Sequence, residues 1–179
     1  LKEAAADLTK GILSHPLMEG LKVLGTPLLI NMINGAGCLP TKNYSTGQFE
    51  GAQQISGEYM LESQSKRPNS KATHHCMTGC VIGCSNVYTD EGGYEIVSGL
   101  EYETLSLMGS NCMISDLDDI ARINRLCNDV GLDTEIFEVI NSLFKMFKKR
   151  RIKFRKIPQK VNFSIYCPRF SLFLVRIIF

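Results

Sequence analysis

Three cysteines within nine residues constrain this chain more than any other feature. The segment runs His74-His75-Cys76-Met77-Thr78-Gly79-Cys80-Val81-Ile82-Gly83-Cys84. Thiolates four apart could share a helix face, but Gly79 and Gly83 favour a loop whose backbone wraps closely around a bulky ligand. Seven cysteines in 179 residues is an odd count, and a secreted disulfide scaffold is usually shorter and lacks such a cluster. The pattern points to metal-binding thiolates in a reducing, intracellular compartment. Two sites compete. An iron–sulfur cube needs converging thiolates, usually four, and a fourth could come from Cys38, Cys112, Cys127 or sequence beyond this chain. Structural zinc accepts three cysteines and a histidine, and His74 and His75 are adjacent. Zinc sites usually show C-x2-C pairs, so the even spacing favours the cube and leaves both histidines as exposed polar residues.

The rest of the text reads as mainly α: an irregular helical domain with a cysteine-rich loop and a short hairpin-like segment. Ala5, Leu8, Ile12 and Leu13 form a stripe on a first helix over residues 2–13. A short helix follows from Leu17 to Leu24. Thr26-Pro27 looks like an N-cap with proline in the first turn, opening an apolar and buried helix to about Ile33. Residues 38–50 are irregular. A helix spans Ala52–Glu62, and residues 63–72 read as an exposed loop. Tyr88 to Tyr94 reads as a turn between two extended pieces, and residues 101–109 as a helix. Ser115 with Asp118 approximates a capping box for a last helix, whose face carries Leu117, Ile120, Ile123, Asn124 and Cys127. Gly131 stops it.

Charge divides the chain. Residues 1–134 hold 9 Lys and Arg against 16 Asp and Glu, whereas residues 135–179 hold 11 against 2. The second part, with KKRRIKFRK and FSLFLVRIIF, would expose a large apolar surface unless it packs somewhere. A basic run of this kind can bind nucleic acid or anionic lipid, but the abrupt change reads better as a frameshifted or disordered tail. The expected division is therefore 1–134 as a helical middle domain and 135–179 as an atypical tail. No apolar run reaches the roughly 18–20 residues a membrane span requires, so neither a membrane span nor a nucleic-acid partner is expected. The chain opens without Met, as a fragment would.

Two further segments carry polar chemistry. Glu101-Tyr102-Glu103 places carboxylates beside a phenol, a pairing suited to acid–base work if one is buried, or equally to a solvated helix start. Asn128-Asp129-Val130-Gly131-Leu132-Asp133-Thr134 is a helix C-terminus whose polar groups could hold a cofactor.

Taken in order, NGAGCLPTKNYSTGQFEGA at 34–52, the cysteines at 76–84, GLEYETLSLMGSNC at 99–112 and NRLCNDVGLDT at 124–134 resemble the aldehyde ferredoxin oxidoreductase family. The resemblance covers roughly residues 1–134. It implies oxidation of an aldehyde or related carbonyl substrate at a tungsten- or molybdenum-bis-pterin, with electrons passing through a [4Fe-4S] cluster to ferredoxin, in the cytoplasm. It implies Cys76, Cys80 and Cys84 as cluster ligands, Glu103 as a proton acceptor with Tyr102 beside it, and Asn128, Leu132 and Asp133 as pterin contacts. There are departures. The family's C-x2-C-x3-C spacing is C-x3-C-x3-C here. Asn128 stands where Asp is frequent. The E-x-x-H iron pair of some dimeric members is replaced by Arg122-Ile123-Asn124-Arg125. The N-terminal pterin domain and the C-terminal domain with the fourth cysteine are missing, Cys167 is a poor substitute for that cysteine, and the chain alone is not expected to be a competent enzyme. The other expectations are a reductase subunit acting on an aromatic thioester, and a non-catalytic zinc- or iron–sulfur-binding module.

Overall fold

A computed structural model describes residues 1–135. The expected tail and Cys167 lie outside the described residues. The order is α1 (Lys2–Leu13), α2 (Met18–Leu24), a 3-10 turn (Thr26–Leu28), α3 (Leu29–Gly35), a second 3-10 turn (Ala52–Ile55) and α4 (Gly57–Ser65). Then follow β1 (Lys71–His74), β2 (Ser85–Thr89), β3 (Glu95–Ser98), α5 (Tyr102–Thr104) and α6 (Leu117–Val130). The fold is mainly α with one small antiparallel sheet, as the sequence implies.

The core gathers Ile30, Leu39, Ile55, Leu100, Leu105, Met108 and Ile120. Gly109 lets two parts of it close: a Cβ there would stand 2.9 Å from Ile120 Cδ1 and 3.2 Å from Ile55 Cδ1. The helix expected over 101–109 changes gauge along its length. After α5 it widens into a π turn at Leu105–Gly109 and then tightens into a 3-10 turn at Ser110–Cys112. α6 buries Leu117, Ile120, Ala121, Asn124 and Cys127 and ends at Gly131 with φ 72°. Its cap is one residue later than expected: Asp116, not Ser115, accepts from the Asp119 N–H at 2.9 Å, because a carboxylate suits the positive helix start better than a hydroxyl.

Three local expectations change. The stripe on α1 buries nothing, and Met32 of α3 is exposed. The helix expected over 52–62 is broken at Ser56, whose extended backbone and hydroxyl cap a separate α4 through the Tyr59 N–H. Part of the loop expected over 63–72 is structured: α4 runs on to Ser65, and Lys71–His74 is a strand paired with β2. The hairpin is real, with Tyr88 opposite Val97 and Thr89 opposite Glu95.

Side-chain amides extend β2 at both ends. Asn86 donates to the Leu100 carbonyl (2.8 Å) and accepts from its N–H (2.9 Å). Gln64 accepts from the Thr89 N–H and donates to the Thr89 carbonyl. Each amide copies a strand edge, pairing the N–H and carbonyl of Leu100 and of Thr89.

Arg67 ties the sheet to α6. It grips Asp118 with two N–H donors (2.7 and 3.2 Å), donates to the Thr89 carbonyl and lies over the Tyr88 ring. The Tyr88 hydroxyl also donates to Asp118, at 2.6 Å. Burial opposes the Asp118 charge, but Arg67 and Tyr88 outweigh it and hold the carboxyl below its ordinary 3.8. Burial, reinforced by Asp118, pushes the Tyr88 phenol up. Asp118→Ala leaves a guanidinium and a phenol without their acceptor, and we expect a loss of about 2–4 kcal/mol, read as a lower urea midpoint. Since folding depresses the carboxyl pKa, the contribution is full above the unfolded value and fades as pH falls through the folded one. The variant and parent midpoints should therefore converge in acid. A gap that persisted well below pH 3.8 would mean the loss was packing.

Candidate functional site

The cysteine loop spans the gap between β1 and β2. Gly79 and Gly83 take φ of 85° and 70°, which turn the chain back on itself where side-chain-bearing residues resist. Cys76 is exposed, and Cys80 and Cys84 are partly so. The Gly83 N–H points at Cys80 Sγ, 3.5 Å away. The N–H groups of Gly83 and Ile82, with His75, bring the Cys80 thiol down to about 7. The Cys84 thiol is pushed up, by burial first and next by the Glu101 charge, with Cys80 and Cys76 adding to it. The three thiols are thus close enough to feel one another. Among the described residues, however, no three His, Cys, Asp or Glu side chains converge in metal-binding geometry, so Cys38, Cys112 and Cys127 do not complete the set. Cys38 is exposed and Cys127 is buried in α6. His74 Nδ1–H donates to the His75 carbonyl, and the exposed His75 lays its ring against Gly83.

The Glu101–Glu103 segment starts α5. Glu103 is exposed and Tyr102 half-buried. Burial, with the Glu103 charge added, raises the Tyr102 phenol against a hydrogen bond from Ser106. Thr26, expected to cap its own helix, instead serves this segment. Its hydroxyl donates to Glu101 Oε2 (2.5 Å) and accepts from the Tyr102 N–H (2.9 Å).

At the end of α6, the Leu132 N–H returns to the Cys127 carbonyl (2.8 Å) and the Gly131 N–H to that of Asn128 (3.1 Å). Asn128 and Asp133 are exposed and Leu132 half-buried. Asp133 Oδ1 accepts from the Glu135 N–H at 2.7 Å. A buried bond between the Thr104 and Thr134 hydroxyls, 3.0 Å, joins this segment to the one bearing Glu103. The structure therefore links the three segments in one sequence of contacts: cysteine loop, Gly25-Thr26, Glu101 to Thr104, then Thr134 and Asp133.

One element escaped sequence reasoning. Lys42, Asn43 and Tyr44 are three consecutive left-handed residues, with φ of 50°, 56° and 57°. They hang from the π-turn exit: the Lys42 N–H reaches the Ser110 carbonyl, the Asn43 N–H that of Asn111 (2.8 Å), and the Tyr44 N–H Asn111 Oδ1 (2.8 Å). Asn43 Oδ1 is buried without a hydrogen-bond partner. The asparagine in the run tolerates that conformation better than most residues, and it was the available signal.

The family model "Aldehyde ferredoxin oxidoreductase, domains 2 & 3" matches residues 3–160. The tungsten-containing aldehyde ferredoxin oxidoreductase of Thermococcus kodakarensis is 38% identical over 115 residues, 64% of this chain and 18% of that protein. The protein of the same name from Pyrococcus furiosus is 35% identical over 135 residues, 75% of this chain and 21% of its own length. The chain spans about a fifth of the length of these curated relatives. A match through 158 of 179 residues, over the segments that the contacts join, carries one conclusion: this chain belongs to the aldehyde ferredoxin oxidoreductase family.

Proposed function

We propose that this chain supplies one side of the redox centre of an enzyme that oxidises aldehydes or related carbonyl compounds to acids. Cys76, Cys80 and Cys84 would hold a [4Fe-4S] cluster. Asn128, Leu132 and Asp133 would contact a tungsten- or molybdenum-bis-pterin, and Glu103, with Tyr102 beside it, would take up a proton. The observation that carries this reading is the cysteine loop: three thiols in one nine-residue loop, with glycines at positive φ and an N–H group aimed at Cys80 Sγ. Backbone donors to sulfur stabilise thiolates and suit an iron–sulfur ligand set.

When bound, the pterin metal supplies two-electron oxidation at the carbonyl carbon and the cluster an outlet for single electrons. The net change consumes one aldehyde and one water, and yields one acid, two protons and two electrons. Exposed at the start of α5, Glu103 can receive a proton and pass it to solvent. The Thr104–Thr134 bond joins the segment that bears Glu103 to the one that bears Asp133. Ferredoxin is the proposed electron acceptor. No helix among the described residues is long and apolar enough to cross a membrane.

Structural zinc is the second reading, favoured by His75, whose ring helps lower the Cys80 thiol. Metal and sulfide analysis of the full-length parent separates the two. Iron with acid-labile sulfide and broad visible absorbance is expected; zinc without sulfide overturns the cluster.

A further inference from the structure

We propose that Glu101, clamped by Thr26 beside the Cys84 end of the cysteine loop, tunes the electron affinity of the cluster. The proposal rests on the cluster reading above. Glu101 is a positioning residue here, acting through its charge and taking no part in ligation.

One hydrogen bond and two close approaches place the carboxylate there. A Cβ at Gly25 would stand 2.5 Å from the Cys84 carbonyl oxygen, so the chain at Gly25 lies directly against Cys84. The next residue, Thr26, binds Glu101 Oε2 at 2.5 Å. A Cβ at Gly99 would be 3.8 Å from Glu101 Oε1 and 3.8 Å from Ser85 Oγ. Ser85 follows Cys84 in sequence, so both observations bring Glu101 to the Cys84 end of the loop. The Thr26 hydroxyl also receives the Tyr102 N–H, which fixes the backbone from which Glu101 projects.

No ion pair among the described residues cancels the charge. The ion pairs among the described residues are Lys66–Glu62, Arg67–Asp118, Arg122–Asp119 and Arg125–Asp129, and none includes Glu101. Glu101 is half-buried, where fields are screened less than in water. Reduction of the cluster adds one electron and no proton need follow. A fixed anion nearby opposes that added charge, and net charge around a cluster is one of the factors that set its potential. Glu101 therefore favours the oxidised cluster and makes the reduced one a stronger donor.

The test is a dithionite titration of the full-length parent, followed by electron paramagnetic resonance. Glu101→Gln keeps the shape and can still accept from Thr26, but removes the charge. The one-electron reduction equilibrium should move about tenfold toward the reduced cluster, which is about 59 mV upward, with iron and labile sulfide unchanged. Thr26→Val, which releases the carboxylate, should move the potential the same way, and Thr26→Ser should restore the parent value. A fully loaded Glu101→Gln protein at the parent potential overturns the proposal. Should Glu101→Gln lose its cluster, equal potentials in Thr26→Val and Thr26→Ser overturn it instead. Parent protein without iron or sulfide removes the cluster reading itself, and this proposal with it.

Discussion

Under the proposed cluster assignment, Cys80→Ser is expected to reduce iron and acid-labile sulfide to background and to abolish the visible absorbance. Cys80 is the middle of three thiols and the one the loop prepares best. The Gly83 and Ile82 N–H groups and His75 hold it near 7, so at neutral pH a large fraction is already thiolate, the form that binds iron. Serine keeps the volume but not the soft anion, because its hydroxyl stays protonated. The change should leave the fold intact: Cys80 is absent from the buried core and its side chain is partly exposed. Circular dichroism of the variant should therefore match the parent while the cluster is gone. Iron, sulfide and spectrum all surviving would show that Cys80 is not a ligand.

Glu103→Gln should slow turnover by about 10²–10⁴-fold, the usual worth of a positioned acid or base, with pterin and metal content unchanged. The Glu103 side chain is exposed and takes no part in the ion pairs or side-chain hydrogen bonds of the described residues; only its backbone carbonyl is used, by Ser106. Glutamine there is nearly isosteric and disturbs no packing, so a lower rate at full cofactor loading isolates the lost proton acceptor. A parent-like kcat would return Glu103 to the role of an acidic residue at a helix start, where it complements the dipole.

Where one local pattern decides the structure, the sequence was readable. The 3.6-residue period of Leu117, Ile120, Asn124 and Cys127, closed by Gly131, marks α6, and the turn residues between Tyr88 and Tyr94 mark the hairpin. The cysteine loop was legible from three thiols and two glycines. What stayed hidden depends on partners far away in the chain. Thr26-Pro27 has the local form of a helix cap, but its hydroxyl is claimed by Glu101, 75 residues on. Lys71–His74 is polar and short, and is a strand because β2 offers it an edge. The π turn depends on how Gly109 meets Ile120 and Ile55, which no periodicity encodes. The candidate site behaves likewise. Its residue types were legible, whereas the Thr104–Thr134 bond joining two of its segments was not, since two threonines among many carry no signature.

The left-handed run at Lys42–Tyr44 couples two distant parts of the chain. Each residue there gives up roughly 1–2 kcal/mol relative to right-handed backbone, and its N–H groups are satisfied by Ser110 and Asn111. Local bonds close the turn, from the Ser45 N–H to the Thr41 carbonyl (3.0 Å) and from the Ser45 hydroxyl to the Lys42 carbonyl (2.6 Å), but the left-handed N–H groups themselves look to the distant segment. Its geometry is therefore matched to the shape that residues 105–112 take. A loop that would pass for slack connection in the sequence is thus tied, through its backbone, to a segment 67 residues away.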